Sequence, residues 1–293
     1  MHPSAVLPLR PVPPAWVFDL FPESDAAERE IAGLRGMALV SRRATRFSLV
    51  SGTIAGAVSL PAAALRDEVA RLYGDLLHEV HRQQRHCVRV WNFVPDIHAP
   101  LGDENRYMTF NAGRFAAYCE WFGGAGRFPG ALPTASAVGA HGEALSIHML
   151  AADDPGLGLE NPRQIPAYQY SRRYGRRPPC FSRATRLGAT VLIGGTASIL
   201  GQQSEHQGDL DGQARETFRN IEALIGAASR SRPEGLDALR SLRVHVRHAD
   251  DTAGIERAVD RLAPGVPVVE YVEACLCRRE LLVEIEGVAV LAS

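Results

Sequence analysis

Segments with apolar residues near helical spacing alternate along this chain with short apolar runs that read as strands. The first series opens with "FSLVSGTIAG" (47–56) and continues into a helix, "LPAAALRDEVARLYGDLLHEV". A strand, "CVRVWNFVPDI", and a second helix, "NRYMTFNAGRFAAYCEWF", follow; "LPTASAVGAH" and "EALSIHMLAA" close the series as strands. A second series repeats the order. It runs from "TVLIGGTASILG" (190–201) through the helix "DGQARETFRNIEALIGAA", with Asp211 the expected N-cap, to the strand "LRVHVRHAD". The helix "TAGIERAVDRLA" and the strands "VPVVEYVEACLC" and "ELLVEIEGVAV" complete it. Each series opens on a Gly-Thr pair, and a proline begins each penultimate strand. Six elements in matched order point to a duplication and an α+β fold: two tandem units, each a mixed β-sheet with helices packed on one face.

The copies differ in their last strand, which reads "LSIHMLA" in the first and "LLVEIEGVA" in the second. Strand alternation puts Leu281, Val283, Ile285, Ala289 and Leu291 on one face, and Leu282, Glu284, Glu286, Val288 and Val290 on the other. Two readings of the mixed face stand: an edge strand with solvated charges, or the wall of a cleft. In a cleft, desolvation raises a carboxyl pKa and fits it for general-acid work. Cys277 lies seven residues before Glu284 and shares a strand face with Cys275. Buried free cysteine is more often inert than reactive.

The formal net charge is -1, yet the segment from Asn161 to Arg186 holds seven arginines and no acidic residue. It also carries Tyr168, Tyr170, Tyr174 and Phe181. Such a cluster suits an anionic partner, since arginine grips carboxylates with paired donors. A sequence pI of about 6.8 favours a small anion over nucleic acid. All 32 basic residues are arginine, which excludes lysine-dependent Schiff-base, PLP and Walker P-loop chemistry. The five cysteines include no C-x-x-C pair, so neither a disulfide framework nor a zinc ribbon is expected. His78, His81 and His86 lack the carboxylate or thiol that would complete a metal set and read as surface histidines. Without a span-length apolar run or a signal-peptide pattern, a cytoplasmic protein with no membrane partner is the expectation.

Five motifs in order resemble the chorismatase family: "NRYMTFNAGR" (105–114), "ENPRQIPAYQY" (160–170), "YGRRPPCFSRA" (174–184), "GGTASILGQQSEHQGD" (195–209 and its flank) and "CRRELLVEIEG" (277–287). The resemblance implies two RidA/YjgF-like units per chain and cleavage of chorismate with release of pyruvate, without metal or organic cofactor. It implies Glu284 as the acid that protonates the enolpyruvyl methylene. It implies Cys277 as the mark of members that aromatise the ring to 3-hydroxybenzoate, in some cases with 4-hydroxybenzoate. Ala197, in the "GGTAS" loop, is implied in product choice. Arg163, Arg183 and Arg114 are the implied carboxylate ligands, and Tyr170 and Tyr174 the flanks of the ring. Cys180 stands where the family more usually has serine, and the run Ser204–Asp209 has no implied role. The expected division is an N-terminal extension (1–40), a first unit (41–152), an Arg/Tyr-rich connector lining the pocket (153–188) and a second unit with the catalytic strand (189–293). A monomer or homotrimer suits such units, and the product would serve secondary metabolism of aromatic compounds. Three alternatives remain beside this reading. They are a hydrolase yielding a dihydroxycyclohexadiene carboxylate, a RidA-like metabolite-binding or imine-deaminating protein using Arg278, and a nucleic-acid-binding module.

Overall fold

The computed structural model describes residues 7–8, 10–21, 28–229 and 234–292. Of the expected N-terminal extension, and of the stretch read for a signal peptide, residues 1–6, 9 and 22–27 therefore lie outside the described residues.

The first unit comprises β1 (Arg29–Ala32), β2 (Ala38–Arg43), β3 (Phe47–Ile54), α1 (Ala62–Arg82), β4 (His86–Pro95), α2 (Arg106–Phe122), β5 (Thr134–Ala140) and β6 (Leu145–Ala152). Its sheet has the order β1-β2-β3-β6-β4-β5. The second comprises β7 (Leu157–Leu159), β8 (Ala184–Leu187), β9 (Thr190–Ala197), α3 (Leu210–Ala228), β10 (Leu239–Val246), α4 (Thr252–Leu262), β11 (Val268–Glu273) and β12 (Val283–Val290). Its order is β7-β8-β9-β12-β10-β11, and Leu7–Pro8 adds a parallel edge to β11. In each sheet one parallel pair, β4–β5 or β10–β11, is joined through a helix, and the other pairings between these strands are antiparallel. The duplication legible in the sequence is thus a duplication of topology. The ladders align Glu284 with Ser146 and Glu286 with His148, because Glu286 faces Arg243 as His148 faces Trp91, each at the third pair after matching register shifts.

Helices cover the outer face of each sheet. In α1, Leu65, Val69, Leu72, Leu76 and Val80 recur every three or four residues and bury against Val50, Val90 and Ile147. In α3, Ala214, Phe218, Ile221 and Ile225 do the same against Val244, Val283 and Ile285. Each large apolar side chain so buried contributes about 1.5–3 kcal/mol. Asn105 caps α2 by accepting the Met108 N–H at 2.9 Å. Asp209, rather than the expected Asp211, caps α3 by accepting from Gly212 N at 2.9 Å. Asp211 falls inside the first turn and pairs with Arg215 and Arg261.

The inner faces of the two sheets meet. Leu49, Val88, Trp91, Phe93 and Val138 of the first unit form a third core with Leu192, Ala197, Val272 and Leu281 of the second. Trp16 packs on Trp91 at a ring-centroid distance of 6.1 Å, which brings the N-terminal segment into this layer. Two expectations shift here. Strand β12 begins at Val283, so Leu281 belongs to the inter-sheet core and not to the helix-facing row. Strand β11 ends at Glu273, so Cys275 and Cys277 share no strand face; Cys275 is exposed and Cys277 half-buried in the turn between β11 and β12.

Candidate active site

Strand β12 lies between β9 and β10, in the interior of its sheet. Its outer-face residues Val283, Ile285 and Ala289 enter the helix-covered core, so Glu284 and Glu286 point into the layer between the sheets. They are 4% and 2% exposed, which rules out the edge-strand reading and leaves the cleft.

Their surroundings differ. Glu286 accepts from the Arg89 guanidinium, from the Ser136 hydroxyl and from Trp91 Nε1 at 3.0 Å, all from the first unit. His245 Nε2 lies 4.0 Å from its other side. Burial works against the ionised form, but Arg89 above all, with Arg243 and the Ser136 bond, overcomes it and holds its pKa below the usual carboxylate value. Glu284 has no such cage. Burial raises its pKa to about 8, reinforced by the charge of Glu286 and opposed by Arg89, Cys277 and Arg183. Two like carboxyls on one strand face thus take opposite protonation states near neutral pH.

Backbone irregularity makes room for Glu284. Along β9–β12 the register slips between Ile193 and Thr196, at Gly194–Gly195, whereas the corresponding β3–β6 ladder is unbroken from Phe47 to Ile54. The bulge lays Gly195 against the carboxyl: a Cβ there would sit 2.1 Å from Glu284 Oε1. Ala197 is the cross-strand partner of Glu284. From the other side Cys277 Sγ reaches to 3.9 Å of Glu284 Oε2. Burial, then the nearby Glu284, pushes this thiol up to about 12, so it stands there as a neutral S–H.

Glu284 opens into a cavity of about 280 Å³. Its walls include Tyr107, Tyr170, Tyr174, Phe181, Arg183 and Arg278. Arg183 donates to Tyr170 Oη at 2.7 Å and lies 5.1 Å from the Phe181 ring centroid, and its buried Nε has no protein partner. Arg278 stacks over Tyr174 at 4.0 Å and donates to Gln202 O at 2.9 Å and Ser204 Oγ at 3.0 Å. Tyr170 and Tyr174 lie 5.2 Å apart between centroids. Cations and aromatic rings therefore converge on one face of a cavity whose floor is a carboxylic acid, an arrangement that can bind an anionic ring and give it a proton. A wider groove of about 900 Å³ lies elsewhere, by Ala62, Phe115 and Arg177, where Arg176 already takes both acidic residues, Asp103 and Glu104.

Of the residues singled out from sequence, the fold brings Glu284, Cys277, Ala197, Arg183, Tyr170 and Tyr174 to the cavity wall. It does not bring Arg163 or Arg114 there. Arg163 turns the other way and binds Glu216 at 2.7 Å and Asn220 at 2.6 Å on α3, so its fork is already occupied. Arg114 is fully buried in the first helical layer, bonded to Asn111 Oδ1 at 2.7 Å and 5.7 Å from the far ring of Phe181. Among the lining residues, sequence reasoning left out Tyr107, Phe181 and, as a ligand for a carboxylate, Arg278; the adjacency of Arg278 to Cys277 was the available signal. It also gave Glu286 no partner, since Arg89, Trp91 and Ser136 lie 150–197 residues away. The run Ser204–Asp209 supports the wall: Ser204 also bonds Glu280 at 2.8 Å, and Asp209 caps α3.

Comparison with known proteins agrees with this two-sheet architecture. The sequence family described as "Chorismatase FkbO/Hyg5-like, N-terminal" matches residues 36–151. A 3-hydroxybenzoate synthase of Streptomyces hygroscopicus is 37% identical over 216 residues, covering 68% of this chain and 62% of that protein. A chorismatase of Streptomyces rapamycinicus is 33% identical, and again the match spans less than two thirds, 63%, of its length. A further chorismatase of Streptomyces hygroscopicus is 32% identical over 263 residues, 86% of this chain and 74% of that one. A chorismatase crystal structure overlays with a TM-score of 0.78 at 27% identity, covering 89% of this chain and 79% of the other. The fold and site define a two-unit α+β protein with an acid-floored, arginine-lined cavity walled by the second sheet, the connector and the start of α2. The chain belongs to the chorismatase family.

Proposed function

We propose that this protein cleaves chorismate to 3-hydroxybenzoate and pyruvate, with Glu284 as the general acid. The observation that carries the reading is the carboxyl of Glu284, kept protonated near neutral pH on the floor of a cavity ringed by arginine and tyrosine. Chorismate is a dianion with a ring and an enol ether, and it meets each of these features. Arg183 and Arg278 face its carboxylates, and Tyr170, Tyr174 and Phe181 wall its ring. Glu284 gives its proton to the enolpyruvyl methylene, and the adjoining carbon becomes an oxocarbenium centre. The ring 4-hydroxyl, giving up its proton, adds to that carbon; its bond to ring C4 then breaks, pyruvate departs with that oxygen as its ketone, and the ether oxygen stays on ring C3, which loses its proton as the ring aromatises while the oxygen regains one. The two products together hold the atoms of chorismate, so the route takes up no water and its proton donation and loss balance. Side-chain acid–base chemistry suffices for it, with no cofactor.

Cys277 supports the aromatising branch, because its S–H adjoins Glu284, where the family resemblance puts the residue that marks that branch. The name of the relative at 37% identity, 3-hydroxybenzoate synthase, points the same way. In this reading residues 160–183 form the pocket-lining connector, the strands at the ends of the expected span 153–188 pairing within the second sheet, and of the expected extension 1–40 the strands β1 and β2 belong to the first sheet. The test is incubation with chorismate, an assay of pyruvate, and ring-proton NMR of the other product. Aromatic 3-hydroxybenzoate is expected; a non-aromatic diene diol would assign the protein to the hydrolytic branch, and no pyruvate would reject the function.

A further inference from the structure

Glu286 has no part in the route above, yet it is among the most elaborately held side chains in the molecule. Three donors of the first unit close on it, from Arg89, Trp91 and Ser136. The Ser136 oxygen also accepts from Gly195 N at 2.9 Å, and Gly195 is the residue pressed against the Glu284 carboxyl. One hydroxyl therefore ties together the anion and the backbone that packs against the acid. In the first copy the positions of Glu284 and Glu286 hold Ser146 and His148, so that copy has no carboxyl pair of its own and instead supplies the cage for the second copy's.

Resting on the reading of Glu284 as a general acid, we propose that Glu286 is a positioning residue for its proton: the first unit holds Glu286 as a fixed anion, and that charge keeps the proton on Glu284. The physical reason is a balance of charges in a dry layer. Arg89 is buried and lies near both carboxyls. With Glu286 present, its charge outweighs that of the guanidinium at Glu284 and adds to burial, the larger cause, in favouring the protonated form. Without Glu286, the guanidinium is left facing Glu284 alone and draws its proton off. The remaining groups that face Glu284 do not replace this effect. Arg183, the residue before β8, and Arg89 both favour ionisation, and Cys277 adds a bond to the carboxylate. Tyr107 of α2 is a half-buried phenol, kept neutral because desolvation raises its pKa. His245, its cross-strand partner on β10, is held neutral by burial and turned to Glu286.

The decisive experiment compares Glu286→Gln with Arg89→Gln in the full chain, because disruption of the network alone moves both variants the same way. Two readouts are used. One is the alkaline limb of the pH profile of kcat/KM for pyruvate release from chorismate. The other is the infrared band of protonated carboxyl, assigned to Glu284 by its loss in Glu284→Gln and titrated without substrate. In Glu286→Gln the limb and the band are expected to move down by about 1–3 pH units. In Arg89→Gln they are expected to stay or move up, and Glu286→Asp is expected to restore wild-type behaviour. An unchanged titration in Glu286→Gln, or a downward shift in both variants, overturns the proposal. Should Arg89→Gln fail to fold, a downward shift in Glu286→Gln that Glu286→Asp reverses still decides; should Glu286→Gln fail, Glu286→Asn is titrated in its place. Absence of pyruvate release by the wild type would reject the assigned reaction, while the infrared titration would still test the role of Glu286.

Discussion

The thiol of Cys277 stands 3.9 Å from Oε2 of Glu284, brought there by the turn that carries the chain from β11 into β12, where Leu281 N bonds Arg278 O at 3.3 Å. A neutral S–H beside a neutral carboxylic acid contributes little to binding a dianion but lies at the point where the proton leaves. Cys277→Ala is therefore expected to change the ratio of aromatic to non-aromatic product, with KM little altered. Chromatography of the products after complete conversion checks this, and an unchanged ratio would make the cysteine a packing residue.

Removing the acid itself should cost about 10²–10⁴ in turnover. Glu284→Gln keeps the shape of the side chain but has no proton to give at neutral pH. Steady-state pyruvate release, with circular dichroism to confirm the fold, measures it; near-normal turnover would rule out Glu284 as the donor.

The same substitution carries a stability signature. The folded pKa of Glu284, about 8, lies above its ordinary value of 4.5. In that interval the folded protein binds the extra proton, so this group's stabilising contribution is whole below about pH 4.5 and is lost as pH rises through 8. Glu284→Gln abolishes that loss. The variant should gain stability relative to wild type as pH rises from 5 to 8, by up to a few kcal/mol. Glu286, with a lowered pKa, has the opposite sign: its contribution is present above the ordinary carboxylate value and is lost on acidification. Urea titrations at pH 5, 6.5 and 8 read the first trend and titrations below about pH 4.5 the second; a Glu284→Gln advantage that does not grow with pH would contradict the first.

Gly195→Ala should damage the site without a backbone penalty, because its φ is not in the left-handed region. The new Cβ would fall 2.1 Å from Glu284 Oε1, so the carboxyl or the bulge must shift. Overpacking of this kind costs about 1–3 kcal/mol, and a displaced acid lowers kcat. Thermal melting and kcat measured together check it; wild-type values in both would mean that the carboxyl sits elsewhere.

Arg183 and Arg163 make a contrasting pair. Arg183→Met removes a cation from the cavity wall and should raise KM for chorismate about 10–100-fold, the worth of a hydrogen bond to a charged group. Arg163→Met leaves the buried Glu216 without its closest cation and should lower stability with KM unchanged. Steady-state kinetics beside melting curves separate the two, and a KM effect from Arg163→Met would place that arginine on the substrate after all.

Much of this was legible in one dimension. The two units followed from matched order of elements, because helical and strand periodicities are local properties that recur when a unit is duplicated. That Glu284 and Glu286 share a face followed from strand alternation, and the anion-binding character of the segment 161–186 from its density of arginine and tyrosine; Tyr170, Tyr174 and Arg183 were singled out within it by the family resemblance. Asp209 in place of Asp211 as the cap, and the early end of β11, were misread because element ends depend on one or two hydrogen bonds that periodicity does not register.

By itself the sequence determined the architecture, the strand that bears the two glutamates and the absence of lysine chemistry, since each rests on residue type and short-range spacing. Only the tertiary structure showed how the surroundings of the two glutamates differ. The strand presents two alike, and their difference arises from Arg89, Trp91 and Ser136, groups of the other unit that reach Glu286 and stop short of Glu284. It also decided that Arg163 serves α3 while Arg183 serves the cavity, for a guanidinium goes to whichever carboxylate the fold sets within reach, and sequence distance does not encode that.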